Sequence, residues 1–311
     1  MAVKLPLVSI IIPTHNRSSV LEKCLNSFLA QNYPKNKTEI IVVDDGSTDN
    51  TAKIAKIYPK INYYYQSNQG PSSARNLGIN KCQGQIVLIV NDDTIPQKNL
   101  ITEHIKFHLK FSKENYAVLG YFTWSPDINI TPFMYWLENG GPAFSYSQIK
   151  TTKVTWMQAW SCNLSYKKSF LLKYGLFDQD FHQAAWEDIE LSYRLNQHQL
   201  KIRYNKNAIA YHYHPTTLDS SQKKMITHGI GGSIFKEKVT DSSILPFLYQ
   251  NKIWNLVNVI DKIVFTPPVV YIFNKLAHFC ETRFICHYLY TYLLLHYRVV
   301  GRRRYLNQTI C

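Results

Sequence analysis

The sequence predicts an α/β protein with a mostly parallel sheet covered by helices on both faces, followed by a helical C-terminal extension. Over the first third, β-branched runs typical of strands alternate with segments that have helical spacing of apolar residues. The runs are apolar on both faces, as parallel strands covered by helices on both sides are. With 311 residues, 45% of them apolar and 18% charged, the chain is globular and long enough for one large domain or two small ones.

The elements of the first third follow in a regular order, each ended by a recognisable signal. Pro13 closes the first strand, and Asp44-Asp45-Gly46-Ser47 breaks the second. We expect strands over 8–12, 40–43, 61–65 and 86–90, and helices from 18 or 19 to 31, over 48–58 and over 72–81. The segment 116–215 is irregular and aromatic, with one clear helix from Asp188 to about Gln197.

Polar clusters follow three of the four strands, and in such sheets ligands bind beyond the carboxyl ends of the strands. They are Thr14-His15-Asn16-Arg17, Asp44-Asp45-Gly46-Ser47 and Asn91-Asp92-Asp93-Thr94. The first lacks glycine, and no Walker A sequence occurs, which argues against dinucleotide and P-loop enzymes. A carboxylate repels a phosphate, but a divalent cation binds both. Each aspartate alone is as readily a turn or helix cap, whereas three clusters together favour a site.

Six segments together resemble the family 2 glycosyltransferases of the GT-A fold, over roughly residues 6–215. These segments are 8–17, 41–49, 74–78, 91–93, 175–178 and 186–194. The resemblance implies transfer of a sugar, with inversion, from a nucleotide-diphospho-sugar (UDP-linked) to a hydroxyl of a saccharide or lipid-linked acceptor. It also implies a divalent cation, Mn²⁺ or Mg²⁺, and a place in cell-surface polysaccharide or glycolipid synthesis.

The resemblance assigns donor contacts residue by residue. Asp45 resembles the carboxylate that receives the uracil imide, and Pro13, Thr14 and His15 would flank the base. Arg75 resembles the arginine that faces the diphosphate, a role that suits its fixed fork of donors.

The third cluster stands where the family carries its Asp-x-Asp metal motif. Asn91 departs from that motif, and we expect Asn91 and Asp92 to contact the nucleotide while Asp93 binds the cation. His212 resembles the downstream metal-binding histidine of the family, with His214 as the alternative. A surface histidine without a ligand is the alternative interpretation for either.

Asp188 is the candidate catalytic base, because inverting transfer needs one carboxylate to take the proton of the acceptor hydroxyl. It stands at a predicted helix N-terminus, where the helix dipole favours its ionised form. We also assign Glu187 and Trp186 to substrate binding. Without the resemblance, Glu187 and Asp188 would be ordinary acidic residues of a first helical turn, and Trp186 is as readily a buried core residue.

These assignments divide the chain into three predicted parts. Residues 1–115 form the nucleotide-sugar-binding half of the GT-A domain, 116–225 the acceptor-binding half, and 226–311 a basic, aromatic helical extension. Twelve Lys/Arg against five Asp/Glu follow Pro215, giving that stretch +7 of the total +14. Such a tail is typical of adsorption to an anionic membrane, and a helical cap or a homodimer face is the alternative.

The targeting signals and the cysteines of the sequence predict where the protein is found. No secretory signal and no 18-residue apolar stretch occurs, so we expect a cytoplasmic protein, peripheral on the inner face of the cell membrane. Six scattered cysteines without a CxxC pair predict reduced thiols. No nucleic-acid-binding motif is present, so nucleic acid is not an expected partner.

Two other functions remain open at this stage. A nucleotidyltransferase-like sugar enzyme would be expected to carry a basic Gly-rich loop after the first strand, which this chain lacks. A catalytically inactive protein that binds sugar nucleotides or acts as a membrane scaffold is the alternative from a different class.

Overall fold

The structure is a computed structural model that describes residues 4–142, 145–239, 241, 244, 259–279 and 283–309. The chain divides into two compact units, Met1–Asn129 with Phe144–Pro215 and Ile130–Ala143 with Thr216–Cys311. We name them the sheet unit and the helical unit.

The sheet unit carries nine strands and six of the helices in the described residues. The strands are β1 (Val8–Thr14), β2 (Thr38–Asp45), β3 (Ile61–Gln66), β4 (Ile86–Val90), β5 (Thr94–Pro96), β6 (Tyr116–Trp124), β7 (Lys153–Val154), β8 (Asn163–Lys167) and β9 (Lys201–His212). The helices are α1 (Ser18–Leu29), α2 (Thr51–Ile57), α3 (Pro71–Lys81), α4 (Leu100–Lys110), α6 (Lys168–Tyr174) and α7 (Glu187–Gln197).

The strands form one sheet in the order β3-β2-β1-β4-β8-β6-β9-β5, with β7 paired to β9. The first four strands in this order are parallel, as predicted from runs that are apolar on both faces. Strand β8 runs antiparallel to both of its neighbours, and β6 and β9 are again parallel. The α/β fold is therefore confirmed, with β1 and β4 buried in its core.

The second half of the sheet comes from the segment that the sequence analysis described as irregular. Strand β8 carries two polar residues, Asn163 and Ser165, which are completely buried. His104 of α4 hydrogen-bonds Ser165 Oγ at 2.8 Å and Asn163 Oδ1 at 2.9 Å, and His108 reaches the same Ser165 Oγ at 2.8 Å. Because these partners satisfy the polar groups, a central strand tolerates a sequence without apolar alternation.

The topology brings the three polar clusters to one edge of the sheet. Strands β2, β1 and β4 are neighbours and parallel, so the residues after them share the carboxyl edge. Strand β5 pairs antiparallel with β9 in a register that sets Thr94 opposite His212. This pairing joins the third cluster to a residue more than a hundred positions later in the chain.

The helical unit contains α5 (Pro132–Asn139), α8 (Leu218–Lys238), α9 (Pro267–Phe279) and α10 (Arg283–Thr309), and residues 259–264 are also helical. Helices α8 and α10 approach closely at two glycines. A Cβ on Gly229 would lie 2.1 Å from the Arg298 carbonyl, and one on Gly301 would lie 2.0 Å from the Ile226 carbonyl. Side chains at either position would therefore separate the two helices.

Two further predictions can be compared with the described part of the chain. No helix in it is long and apolar enough to cross a membrane. Cys24, Cys82 and Cys162 are free thiols, as expected, while the side chains of Cys280, Cys286 and Cys311 lie outside the described residues.

Candidate active site

Two adjacent carboxylates follow β4 and face one arginine. Asp92 and Asp93 are both nearly buried. The Arg17 guanidinium donates to Asp93 Oδ2, and its Nε lies 3.5 Å from Asp92 Oδ1. Thr14 Oγ1 donates to Asp92 Oδ2 at 2.8 Å. The carboxyl ends of β1 and β4 are thus joined through ionic and polar contacts.

Two histidines of the C-terminal end of β9 and the residues after it complete this acidic edge. His212 Nε2 lies 3.2 Å from Asp93 Oδ2, as the β5–β9 pairing dictates. The His212 ring packs against Phe122 and Trp124, with centroids 5.5 and 5.2 Å away. His214 Nδ1 lies 3.3 Å from the Arg17 guanidinium. The His212 contact with Asp93 agrees with the choice of His212 as the first candidate.

The two carboxylates differ in their electrostatics. Burial and the adjacent Asp93 charge raise the pKa of Asp92. Burial also disfavours ionised Asp93, but His212 and Arg17 outweigh it and hold the pKa of Asp93 below its usual range. Asp93 is consequently the member of the pair that ionises more readily.

The acidic edge fits a divalent cation in its donor types, although no group of three or more His, Cys, Asp or Glu among the described residues is arranged around an ion site. Asp93 Oδ1 is buried and has no hydrogen-bond partner. An anionic oxygen without a partner is costly inside a protein unless a cation or donor meets it. Carboxylate oxygen suits Mg²⁺ and Mn²⁺, and imidazole nitrogen is a common ligand of divalent transition metals. Asp93 and His212 are thus the residues that would hold the cation.

Asp45 lies at the end of β2, and its carboxylate is held by the loop before α3. Its Oδ1 accepts from Gln66 Nε2 at 2.7 Å and from the Gln69 N–H at 2.9 Å, and its Oδ2 accepts from the Gly70 N–H at 2.8 Å. Gly70 has φ +90°, and a Cβ there would lie 2.5 Å from the His182 carbonyl. Only glycine suits this position. A carboxylate offers about four acceptor positions, so Asp45 keeps one for a ligand N–H.

Other residues predicted to bind the nucleotide sugar lie at or directly after the ends of β1 and β4, at the same edge of the sheet. His15 Nδ1 donates to the Asp45 carbonyl at 2.8 Å, which leaves its Nε2 as an acceptor. His15 is exposed, Pro13 is half-buried and Thr14 is buried. Asn91 is half-buried at the end of β4, and its carbonyl accepts the Thr94 N–H at 3.2 Å. The structure therefore places all of these predicted residues at the carboxyl edge.

The second acidic pair, Glu187 and Asp188, begins α7. Asp188 Oδ2 accepts the Ser161 N–H at 3.0 Å, and its Oδ1 accepts the Ile189 N–H at 2.8 Å. Burial raises the pKa of Asp188, although these backbone donors and Arg75 oppose the shift. A fixed, desolvated carboxylate of this kind is suited to accept a proton.

Glu187 is paired with Arg75 inside the protein. Arg75 Nη1 donates to Glu187 Oε1 at 2.8 Å, and both side chains are about 95% buried. The Arg75 guanidinium also lies 5.2 Å from the centroid of the Phe177 ring. Burial and the neighbouring Asp188 raise the pKa of Glu187. In this arrangement Arg75 supports the start of α7, and its predicted contact with a diphosphate stays a prediction.

Trp186 precedes this pair in a strained backbone conformation. Its φ is +73° and its ψ is −10°, the left-handed region that a bulky residue rarely adopts. Such conformations cost about 1–3 kcal/mol and concentrate at functional sites. The strain gives Trp186 a reason to be considered part of the site in addition to the resemblance.

Two contributors were not assigned by the sequence analysis. Arg17 was part of the first polar cluster, and a single cation among acidic strand ends was the available signal. The Ser161 N–H acts through the backbone, which no residue type announces. A charged side chain at the sheet edge, such as Arg17, can thus be predicted from the sequence, whereas a backbone N–H donor such as that of Ser161 cannot.

Comparison with known proteins gives several relatives. The chain is 39% identical over 103 residues to the glycosyltransferase AglE of Haloferax volcanii, covering 32% of this chain and 34% of that protein. It is 25% identical over 244 residues, 74% of each protein, to a Methanococcus voltae dolichyl N-acetyl-alpha-D-glucosaminyl phosphate 3-beta-D-2,3-diacetamido-2,3-dideoxy-beta-D-glucuronosyltransferase. The chain spans about half or less of the length of several curated relatives, 52% for the probable glycosyltransferase YdaM of Bacillus subtilis.

Solved structures show the fold. The mannosyltransferase PcManGT from Pyrobaculum calidifontis, in complex with GDP-Man and Mn²⁺, is similar with a TM-score of 0.64 at 16% identity, covering 97% of this chain and 88% of that one. S. aureus TarS 1–349 in complex with UDP follows with a TM-score of 0.57 at 18% identity, covering 97% and 92%. The model of glycosyl transferase family 2 matches residues 9–175, more than half of the sequence. The chain belongs to this family.

Proposed function

We propose that the protein is an inverting glycosyltransferase that moves a sugar from a nucleotide-diphospho-sugar to an acceptor hydroxyl. The observation that carries the proposal is Asp188, a desolvated carboxylate fixed at the start of α7 by the Ser161 N–H. Asp188 takes the proton of the acceptor hydroxyl while the oxygen of that hydroxyl forms a bond to the anomeric carbon of the sugar. The bond from that carbon to the diphosphate breaks, and the diphosphate leaves with the electron pair.

The donor lies at the carboxyl edge of the sheet in this proposal. Asp45 and His15 meet the base, with Pro13 and Thr14 beside it, and Asn91 and Asp92 contact the rest of the nucleotide. A uracil imide N–H suits the remaining acceptor position of Asp45, which favours UDP. GDP-Man in PcManGT and UDP in TarS are the ligands of those similar structures, so both bases belong in the test.

A divalent cation, Mn²⁺ or Mg²⁺, completes the proposed site, held by Asp93 and His212. The buried Asp93 Oδ1 without a partner supports this placement. When bound, such a cation supplies positive charge that stabilises a leaving diphosphate. On the acceptor side, Trp186 offers an indole for a sugar face, and Glu187 with Arg75 holds the start of α7.

A panel of nucleotide sugars tests the reaction. Each donor is incubated with the full chain, with Mn²⁺, with Mg²⁺ or with chelator, and hydrolysis or transfer is followed by mass spectrometry. We expect cation-dependent release of a nucleoside diphosphate from one UDP-sugar. Binding of donors without turnover under any condition would support the inactive-protein alternative instead.

We further propose that the acceptor is a saccharide or lipid-linked glycan at the inner face of the cell membrane, in polysaccharide or glycolipid synthesis. Support comes from the helical unit, where residues 259–276 expose many large apolar side chains beside Lys262 and Lys275. These side chains are Val259, Ile260, Ile263, Val264, Tyr271, Ile272 and Leu276. Apolar residues with flanking lysines are typical of surfaces that adsorb to anionic leaflets.

Vesicle sedimentation tests the membrane proposal. Ile263→Asp, at a residue 70% exposed, should reduce pelleting with anionic vesicles, whereas Ile57→Asp in the sheet unit, at a residue 65% exposed, should not. Wild-type protein should partly dissociate at high salt. If the wild type ignores anionic vesicles and Ile263→Asp converts a dimer to a monomer, the surface is a homodimer face.

A further inference from the structure

Arg17 occupies a position that a metal-binding site does not ordinarily give to a protein cation. Its guanidinium contacts Asp93 Oδ2 directly and lies 3.5 Å from Asp92 Oδ1. The Asp93 oxygen that meets Arg17 is the one that also meets His212. The protein thus places its own positive charge on the carboxylate proposed to hold the cation.

The backbone builds this contact from both sides of Arg17. Asn16 has φ +52°, a left-handed conformation that asparagine tolerates better than most residues. Its N–H donates to Ser47 Oγ at 2.8 Å, and its Oδ1 accepts the Thr48 N–H at 2.7 Å. The Arg17 carbonyl then accepts the Val20 N–H at 3.1 Å as α1 begins. The arginine is therefore anchored between the β2 loop and α1.

Arg17 meets only one of the two oxygens of Asp93, so part of this carboxylate is left for another cation. Two adjacent carboxylates face a single guanidinium, and Asp93 Oδ1 is left buried without a partner. A guanidinium and a divalent cation on the same carboxylate repel each other at a few ångström. A divalent cation bound to Asp93 therefore weakens the contact of Asp93 with Arg17, and that contact weakens binding of the cation.

We infer that Arg17 is a built-in counter-ion that competes with the divalent cation for Asp93, so that the protein holds the cation weakly until a donor arrives. The inference rests on the proposed function, in which the donor brings a diphosphate. That diphosphate offers Arg17 another anion, and release of Arg17 frees Asp93 for the cation. Cation and donor then bind with positive coupling, each raising the affinity of the other.

Manganese titration of the full chain without nucleotide tests the competition, with free Mn²⁺ followed by electron paramagnetic resonance. Arg17→Gln should lower the Mn²⁺ dissociation constant by about ten-fold or more, because it removes a positive charge next to Asp93. Arg17→Lys should fall between Arg17→Gln and wild type. The matched control is Lys23→Gln on α1, since the Lys23 ammonium lies on Tyr213, 2.7 Å from its hydroxyl. We expect the control to change Mn²⁺ affinity by about two-fold or less.

Each other outcome overturns the inference. Unchanged or weaker Mn²⁺ binding in Arg17→Gln would make Arg17 a support of the site, and equal tightening in Lys23→Gln would reduce the effect to net charge. If Arg17→Gln fails to fold, the Arg17→Lys titration decides alone. The titration uses neither donor nor acceptor, so its failure leaves the proposed transfer standing, while an inactive donor panel with tighter Mn²⁺ binding would leave the competition standing.

Discussion

The sheet unit contains two acidic pairs, Asp92–Asp93 and Glu187–Asp188, whose carboxyl groups differ in the direction of their pKa shifts. Asp92–Asp93 and Glu187–Asp188 are each two adjacent, largely buried carboxylates facing one arginine. In the first pair the pKa of Asp92 is raised and that of Asp93 is lowered, whereas in the second pair the pKa values of Glu187 and Asp188 are both raised. Only the first pair therefore contains a carboxylate that loses its proton more readily than usual, which suits the proposed cation, while the second suits the proposed base.

The difference arises from where the positive charge is placed. Arg17 contacts Asp93 together with His212, so two donors favour one ionised oxygen. Arg75 instead pairs with Glu187 and acts on Asp188 only through space, so burial dominates there. The side chain of Arg17 is 28% exposed and that of Arg75 only 4%. The presence of two carboxylates and an arginine therefore does not determine the direction of the pKa shifts, which depends on which carboxylate the arginine contacts.

The largest expected effect is the loss of turnover when Asp188 of the second pair is replaced. Asp188→Asn keeps the shape of the side chain but removes the proton acceptor, and turnover should fall by about a hundred- to ten-thousand-fold. Affinity for the nucleotide sugar should stay close to that of wild type, since the proposal places Asp188 on the acceptor side. Steady-state kinetics and donor binding measure the two quantities. Normal turnover in Asp188→Asn together with an inactive, folded Glu187→Gln would mean that Glu187, and not Asp188, is the base.

The next effect breaks the first pair. Asp93→Asn should weaken Mn²⁺ binding by about a hundred-fold or more, because it removes the charge that the cation would meet. Donor binding in the presence of Mn²⁺ should weaken with it, in contrast to Asp188→Asn. Calorimetric titration measures both, and chelator should abolish wild-type turnover. Asp127→Asn, at an exposed acid of the sheet unit, serves as the matched control. Full activity in chelator would contradict the cation assignment.

The sequence anticipated the first pair better than the second. Strand β4 has the predicted bounds, and the structure sets the predicted metal residues Asp93 and His212 in contact. The signal was the set of three polar clusters after neighbouring strands, since an aspartate alone is as readily a turn or helix cap. By contrast, the buried partnership of Arg75 with Glu187 depends on the packing of α3 against the start of α7, which no local pattern reveals.

The parts that sequence reasoning missed share one physical cause. Polar groups of β8 are satisfied by His104 and His108 of another element, so the strand lacks the apolar pattern that would mark it. The Ser161 N–H, which fixes Asp188, is a backbone group carried by every residue except proline. Tertiary partners and backbone donors are therefore visible only in the folded chain.

A pH profile sharpens the contrast between the pairs. Asp188 acts as a base only when ionised, so activity should rise with pH through its pKa and be lost below it. An ordinary aspartate has a pKa of about 4. Because the pKa of Asp188 is raised, the acid limb of kcat should lie at a higher pH than that. Below the limb the rate should fall about ten-fold per pH unit. The residual activity of Asp188→Asn should lack this limb, and an identical limb in that variant would assign it to another group.

The smallest effect compares the two arginines directly through the same substitution. Arg75→Lys leaves a charge beside Glu187 but loses the planar fork in a closed environment, where a poorly satisfied group costs about 1–3 kcal/mol. Arg17→Lys changes a partly exposed guanidinium, and solvent around exposed ion pairs limits the cost to about 1 kcal/mol or less. Urea unfolding of both full-length variants in chelator measures the difference, with Lys23→Gln as the reference for loss of a surface charge. Equal destabilisation by the two substitutions would mean that burial does not separate the pairs, and the contrast between an ion-holding and a proton-accepting edge would then rest on His212 alone.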